Sequence, residues 1–382
     1  MTGPRLPDTP TLIAWTQDFI RAPSQQTDNF EQEPKVQAFL AGPVVARLEA
    51  CGLPWRRDGM GNVIVELGPK TADRSLMLMT YAMTHPANRM QTPFAGELID
   101  GGTRVRGRGV SEQKGALAAA IAAVAAAKDL TLKGRLVLCV SSAGETGRHD
   151  AALSIVEALG FLPKQTIIAV GTTGRLALAN KGRIDVEVTV KGRVSHSSTP
   201  WAGVNAITGA QQVLERVLAI DVSKAEHAGL GKSTLTATSI RSWPEATHTV
   251  QDEVKIVFDR RLLPGEDRDT AFRAIAEAAD IGAPWTVETK LGPSMFPAEI
   301  DAKGPLATAV RKGCEAEGVP APATFYSSGA LDAGLFHVRG QEAAMWGPGD
   351  QALWHTENES IGVDELVAGA KGYLGLVREA VG

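Results

Sequence analysis

The order of elements along this chain changes once and then changes back, and that interruption restricts the fold more than any single motif does. Up to about residue 180, short β-rich runs (NVIVELG, SLMLMTYA, RLVLCVSS, QTIIAVGT) alternate with helical stretches, after two opening helices in TPTLIAWTQDFIRAP and EPKVQAFLAGPVVARLEACG. The Ala-rich GALAAAIAAVAAAKDL has very high helix propensity, and its small side chains imply a helix packed closely on a sheet. Such alternation predicts an α/β sheet covered by helices. From Arg183 the order becomes strand, helix, strand, strand, helix, strand, through RIDVEVTVKG, VNAITGAQQVLERVL, STLTATSIRSW, EVKIVFDRRLL, DTAFRAIAEAAD and PWTVETKL. That is a ferredoxin-like order for a compact α+β unit. After about Leu291 the alternation resumes and runs to the last helix, VDELVAGAKGYLGLVREAV. The expected organisation is a discontinuous α/β domain, residues 1–182 and 292–382, with an α+β domain at 183–291 inserted into it.

A chain of 382 residues is long enough for two cores, and its formal charge of −4 with no Lys/Arg run offers no electrostatic footprint for nucleic acid or an anionic membrane surface. A small-molecule partner is expected instead. Cys51, Cys139 and Cys314 are odd in number, far apart and set among apolar residues, which suits buried thiols in a reducing compartment. The stretch MTGPRLPDTPTLIAWTQDFI lacks a charged start followed by an apolar core, and no apolar run is long enough to cross a bilayer. A cytoplasmic protein with no membrane partner is the expectation.

Four short stretches, in order, point to one family. GRGVSEQKG is similar to a Gly-Arg-Gly-x-x-Asp-x-Lys-Gly motif, HSSTPWAGVNAI to a His-Ser-x-x-Pro segment ending in Gly-x-Asn-Ala, and FDRRLLPGED and WHTENESI to two later signatures. Together they resemble the M20 metallopeptidase and amidohydrolase family of aminoacylase, acetylornithine deacetylase, succinyl-diaminopimelate desuccinylase and carboxypeptidase G. The resemblance implies a zinc-peptidase-like catalytic α/β domain, a mixed sheet covered by helices, with an inserted ferredoxin-like α+β dimerisation domain. It further implies a homodimer through the inserted domain and two bridged metal ions that polarise an amide carbonyl beside a Glu acting as general base.

Against that pattern the site residues of this chain are unusual. The first ligand, a His oriented by an Asp two residues later, corresponds to Tyr81 and Met83. A neutral phenol is a poor ligand, and a thioether cannot hold an imidazole in place. The bridging Asp corresponds to Glu112, the base to Gly144, the next ligand to Glu145, a further acidic ligand to Gly171 and the last His to His355. The losses at Tyr81 and Gly171 fall on one ion, whereas Glu112, Glu145 and His355 would complete the set for the other, so one zinc or manganese ion, or none, is expected.

His196 matches a His that reaches the partner subunit's site as oxyanion donor, and Arg261 matches an Arg that grips a substrate carboxylate. His248 stands where an Asn is usual, and Asp332 in SSGALDAG fits a loop position near the substrate, with a helix N-cap as its ordinary alternative. His85 and His149 follow altered ligand positions and are candidates for substitute ligands or bases, His85 also for a substrate contact and His149, with Tyr81, for the role of the missing base. Ser195, Ser197 and Ser198 flank His196 without an acid in reach, which argues against a serine triad. The expected activity is hydrolysis of a small N-acyl amino acid, dipeptide or related amide bearing a carboxylate. The alternatives are a metal-free binding protein, or an isomerase, lyase or acyl-transfer enzyme on the same scaffold.

Overall fold

The computed structural model describes residues 5–26, 33–70, 73–144 and 146–382, so Glu145 lies outside the described residues. The chain divides into two units: Met1–Ala179 with Ala298–Tyr326 and Leu331–Gly382, and Asn180–Pro297 with Ser327–Ala330.

In the first unit a six-stranded mixed sheet runs in the order Trp55–Arg57, Val63–Leu67, Arg135–Ser141, Ser75–Tyr81, Gln165–Ile168, Glu342–Met345. Ser75–Tyr81 lies parallel to both of its neighbours and every one of its residues is buried, the pattern of a central strand covered on both faces. Because strand side chains alternate, the sheet feeds two cores. Leu76, Leu78, Leu136, Leu138 and Ile167 pack beneath the helices Gly115–Ala127 and Val363–Val381. Met77, Met79, Tyr81, Val137, Cys139 and Ile168 face the other way, onto the helices Asp150–Leu159 and Ala333–His337. Helix Gly115–Ala127 is buried at every residue but Ala125, which only a face of small side chains permits when neighbours approach on all sides.

The second unit is a four-stranded antiparallel sheet in the order Thr234–Trp243, Glu253–Leu262, Gly182–Lys191, Thr286–Met295, with helices Ala206–Leu218 and Arg268–Ala279 packed on the face bearing Ile184, Val186, Val188, Val254, Ile256 and Phe258. Numbered by appearance the strands stand 2-3-1-4, the ferredoxin-like arrangement. The last strand passes through a register irregularity between Leu291 and Ser294 and ends at Met295, beyond the PWTVETKL run read from the sequence. The contact boundary accordingly falls at Pro297 rather than 291, and at Asn180 rather than 183.

Among the described residues no helix is long and apolar enough to cross a membrane. Cys139 and Cys314 are buried and Cys51 half-buried, all as thiols. Burial pushes the Cys314 thiol up to about 12 and the Cys139 thiol well above its ordinary value, and it raises Cys51 as well. Iodoacetamide at pH 8 is expected to modify at most one thiol per native chain, slowly, and all three after unfolding in urea. Two fast native thiols, counted by mass, would contradict this packing.

Candidate active site

Tyr81 ends the central strand on the face covered by helices Asp150–Leu159 and Ala333–His337. The residues immediately before those helices are His149 and Asp332, and there the three side chains meet. Tyr81 Oη donates to Asp332 Oδ2 at 2.8 Å, and His149 Nδ1 lies 2.7 Å from Asp332 Oδ1. Asp332 stands just before helix Ala333–His337 with helical backbone angles (φ −65°, ψ −12°) that do not suit capping, makes no capping bond, and turns its two oxygens to Tyr81 and His149. All three residues are buried. A Cβ placed on Gly144 would lie 3.1 Å from the Tyr81 ring and 3.4 Å from Met83 Sδ, so these two side chains fill the space beside position 144.

A second group is built on the GRGVSEQKG turn. Val110–Lys114 forms a π-helical turn entered through Gly109, whose φ of 78° suits glycine. Glu112 is buried, and its Oε1 lies 3.1 Å from Nε2 of His355, which is itself partly exposed. His355 has φ 61°, an uncommon conformation for a side-chain-bearing residue that aims the imidazole at the turn. His85 stacks on it, ring centroids 4.1 Å apart and planes at 14°, while its Nδ1 lies 3.2 Å from Pro86 O. Lys114, further along the turn, is fully buried, donates to Phe19 O and Ala22 O at 2.8 Å, and is pushed down to about 7 by burial.

Position 171 closes this group. Gly171 N–H donates to Glu112 O at 2.9 Å, and a Cβ there would come within 1.9 Å of Ser111 O and 3.0 Å of Gly349 O. Both obstacles are backbone, so no side chain fits at 171 without moving the turn that carries Glu112.

In the second unit, Ser195–His196 pairs with Thr249–Val250, which places the His196 and His248 rings 6.2 Å apart. His196 Nδ1 accepts the Ser198 N–H at 3.1 Å and lies 2.8 Å from Ser198 Oγ; with Nδ1 an acceptor, the ring proton sits on Nε2. Arg261 lies on the sheet face away from the helices, where its Nε and one amino group donate to Asp259 at 2.8 and 3.1 Å and Arg183 joins the same carboxylate at 3.0 Å. The carboxylate gripped here is the chain's own.

Two of the residues placed at metal positions by the family pattern are thus engaged otherwise: the Tyr81 hydroxyl donates to Asp332, and position 171 has no room for a ligand. The Glu112 and His355 pair is a different case. His355 Nε2 and Glu112 Oε1, 3.1 Å apart, are within direct hydrogen-bond distance of each other, and that separation is also close to the about 3.3 Å between donor atoms of one tetrahedral ion bound at roughly 2.0–2.2 Å. Among the described residues no cluster of three or more His, Cys, Asp or Glu side chains is placed to hold an ion, and the third carboxylate of this set, Glu145, is outside them.

Sequence reasoning missed Glu359. Fully buried, it accepts from Arg108 at 2.9 Å and from the backbone N–H groups of Gly109, Ser111 and Glu112 at 2.8, 3.1 and 3.2 Å, and so fixes the turn that presents Glu112. Burial pushes its carboxyl up from the ordinary value, against the Gly109 N–H, the Arg108 guanidinium and the other two N–H donors. The signal was present in two motifs, Arg108 in the first and Glu359 four residues after His355 in the last.

Comparison with known proteins agrees with this architecture. A solved M20 family metallo-carboxypeptidase from Sulfolobus solfataricus superposes with a TM-score of 0.78 over 96% of this chain and 98% of its own, at 15% identity, a likeness of fold. In sequence, the uncharacterized protein YgeY of Escherichia coli K12 is 25% identical over 268 residues, 69% of this chain but only 64% of that relative's length. Acetylornithine deacetylase of Myxococcus xanthus is 26% identical over 344 residues, 84% of this chain and 87% of its own. Residues 84–379 match the profile of peptidase family M20/M25/M40, and with most of the chain accounted for in this way the protein belongs to that family.

Proposed function

We propose that this protein hydrolyses a small N-acyl amino acid, dipeptide or related amide carrying a carboxylate, with at most one divalent ion, zinc or manganese, held by Glu112, Glu145 and His355. The observation that carries the reading is the contrast within one turn: Glu112 faces His355 at 3.1 Å, while the backbone of Ser111 fills the space of a ligand at 171. When bound, an ion there supplies a Lewis acid for the amide carbonyl. The protein's own residues do the rest. The Glu359 carboxylate keeps the Glu112 backbone in place, and the His196 Nε2–H is a donor suited to an oxyanion. Arg261, released from Asp259, would serve a substrate carboxylate. Homodimer formation through the second unit and a cytoplasmic setting, in keeping with three thiols and no disulfide among the described residues, complete the proposal.

Elemental analysis of protein purified without a chelator or a metal-affinity tag tests it. About one zinc or manganese per chain is expected, falling to a background level in Glu145→Ala, together with turnover of some member of a panel of N-acyl amino acids and dipeptides. Two ions per chain would refute the single-ion reading. No metal in either protein after reconstitution, with no turnover across the panel, favours the metal-free binding protein.

A further inference from the structure

A cavity of about 160 Å³ lies within the first unit, between the start of helix Val363–Val381, the end of helix Pro305–Ala316 and the segments around Gly174 and Gly347. Cys314, Trp346 and Pro348 are buried at its floor, while Thr173, Gly174 and Pro320 at its rim are exposed, so it opens to solvent. Rigid parts keep it from collapsing. Pro320, Pro322 and Pro348 have fixed φ angles. Trp346 is held by its Nε1–H, which donates to Gly174 O at 3.0 Å. Gly369 brings the helix against Pro348, since a Cβ there would stand 2.5 Å from Pro348 Cγ. Protein interiors are close-packed, and an engineered apolar cavity of about 150 Å³ is large enough to bind benzene.

Among the described residues that line the cavity, Glu365 alone carries a charge. Its Oε2 is buried without a hydrogen-bond partner, and its Oε1 has Arg104 Nη1 no nearer than 3.9 Å. Arg104 is turned to Ser360 instead, donating to its Oγ and its carbonyl at 3.1 and 3.0 Å. A buried carboxylate oxygen without a donor is costly. The last torsion of a glutamate is soft, so the carboxylate can turn to meet a donor at the cavity wall.

We infer that this cavity binds a small primary amine in its ammonium form, the apolar body against Trp346, Pro348 and Val319 and the N–H groups donating to the Glu365 carboxylate. No Lys, Arg or His stands among the described lining residues, so a carboxylate on the ligand would have no partner and free amino acids are poor occupants. The site shares no residue with the Glu112 and His355 pair, nor with Tyr81, Asp332 and His149. It does adjoin what holds Glu112. Thr173 and Gly174 follow Gly171, whose N–H donates to Glu112 O, and they are tied to Gly349 O and Gly347 O by their own N–H groups. An amine seated against Gly174 and Gly347 therefore braces the segment that carries Gly171.

Calorimetric titration of the full chain with benzylamine at neutral pH tests the inference and needs no turnover. One site per chain with a Kd of about 1 mM or tighter is expected. Benzyl alcohol, of the same shape without the charge, should bind about tenfold more weakly, and benzoate not at all. Glu365→Gln should weaken benzylamine about tenfold and leave benzyl alcohol unchanged. Ala368→Phe, which fills the cavity, should abolish both. Benzylamine should also raise the unfolding temperature of the wild type, and benzoate should not. Benzylamine binding undiminished in both variants would place the amine elsewhere and overturn the inference. So would a folded wild type that gives neither heat nor a thermal shift at about 10 mM amine. If Ala368→Phe does not fold, Glu365→Gln decides: equal affinity for benzylamine in wild type and variant overturns the site.

Discussion

Glu359→Ala is expected to cost the fold about 3–5 kcal/mol, the usual penalty for breaking a buried ion pair from one side. Glu359 and Arg108 are both fully buried, and removing the carboxylate leaves the guanidinium with the neutral Ala87 O, at 3.1 Å, as its hydrogen-bond partner among the described residues. The same change orphans the N–H groups of Gly109, Ser111 and Glu112 in a turn that water does not reach. The energetic consequence and the functional one share a cause. Once those three N–H groups lose their acceptor, the Glu112 backbone loses its main anchor and keeps the weaker hold of the Gly171 N–H on its carbonyl, so bound metal should fall along with stability. Urea unfolding with elemental analysis on the surviving native protein measures both. Glu359→Gln keeps the shape and two acceptor lone pairs, and is expected to lose less. A cost under about 1 kcal/mol for the alanine variant would mean that the turn is held by something else.

The fold was readable because its signals are local. The strand runs, the Ala-rich helix and the switch to a ferredoxin-like order each depend on residues within a dozen positions of one another, where periodicity speaks directly. The second unit's last strand is read only as far as PWTVETKL in the sequence, where Gly292 and Pro293 follow it. In the structure the strand absorbs the pair through an irregular register. The site is a different matter, since its contacts join residues 251 positions apart for Tyr81 and Asp332 and 243 apart for Glu112 and His355. A motif gives the identity of each residue but not the company it keeps. Tyr81 therefore reads as a failed ligand in the sequence and as a hydrogen-bond donor to Asp332 in the structure. Asp332 reads as a cap or a substrate contact in the sequence; in the structure it makes no capping bond and accepts from Tyr81 and lies beside His149. Arg261 was correctly placed on the FDRRLLPGED strand, yet no spacing rule could have foretold that Asp259, two residues before it, occupies its fork.

Gly171 offers the sharpest separation between a site that has lost a ligand and a site that has closed. If only the ligand were missing, Gly171→Asp would restore a carboxylate and, with it, affinity for a second ion. The geometry predicts the opposite. The new Cβ would meet Ser111 O at 1.9 Å and Gly349 O at 3.0 Å, distances at which the backbone has to move. That backbone is pinned: Thr172 and Gly174 N–H donate to Gly347 O at 3.1 and 3.0 Å, and Thr173 N–H to Gly349 O at 2.6 Å. Overpacking a fixed core position typically costs about 1–3 kcal/mol. Gly171→Ala should lose about 2–3 kcal/mol, and Gly171→Asp more, because its carboxylate also enters a space already walled by peptide groups. The strain falls first on Ser111, whose neighbour is Glu112. Metal content should therefore drop below the wild-type level rather than double. Thermal unfolding and elemental analysis of the two variants decide the point. A Gly171→Asp protein that melts with the wild type and carries two ions per chain would show that the second position is merely vacant. A destabilised protein with less metal than wild type would place the loss in the backbone itself, beyond the reach of any single side-chain reversion.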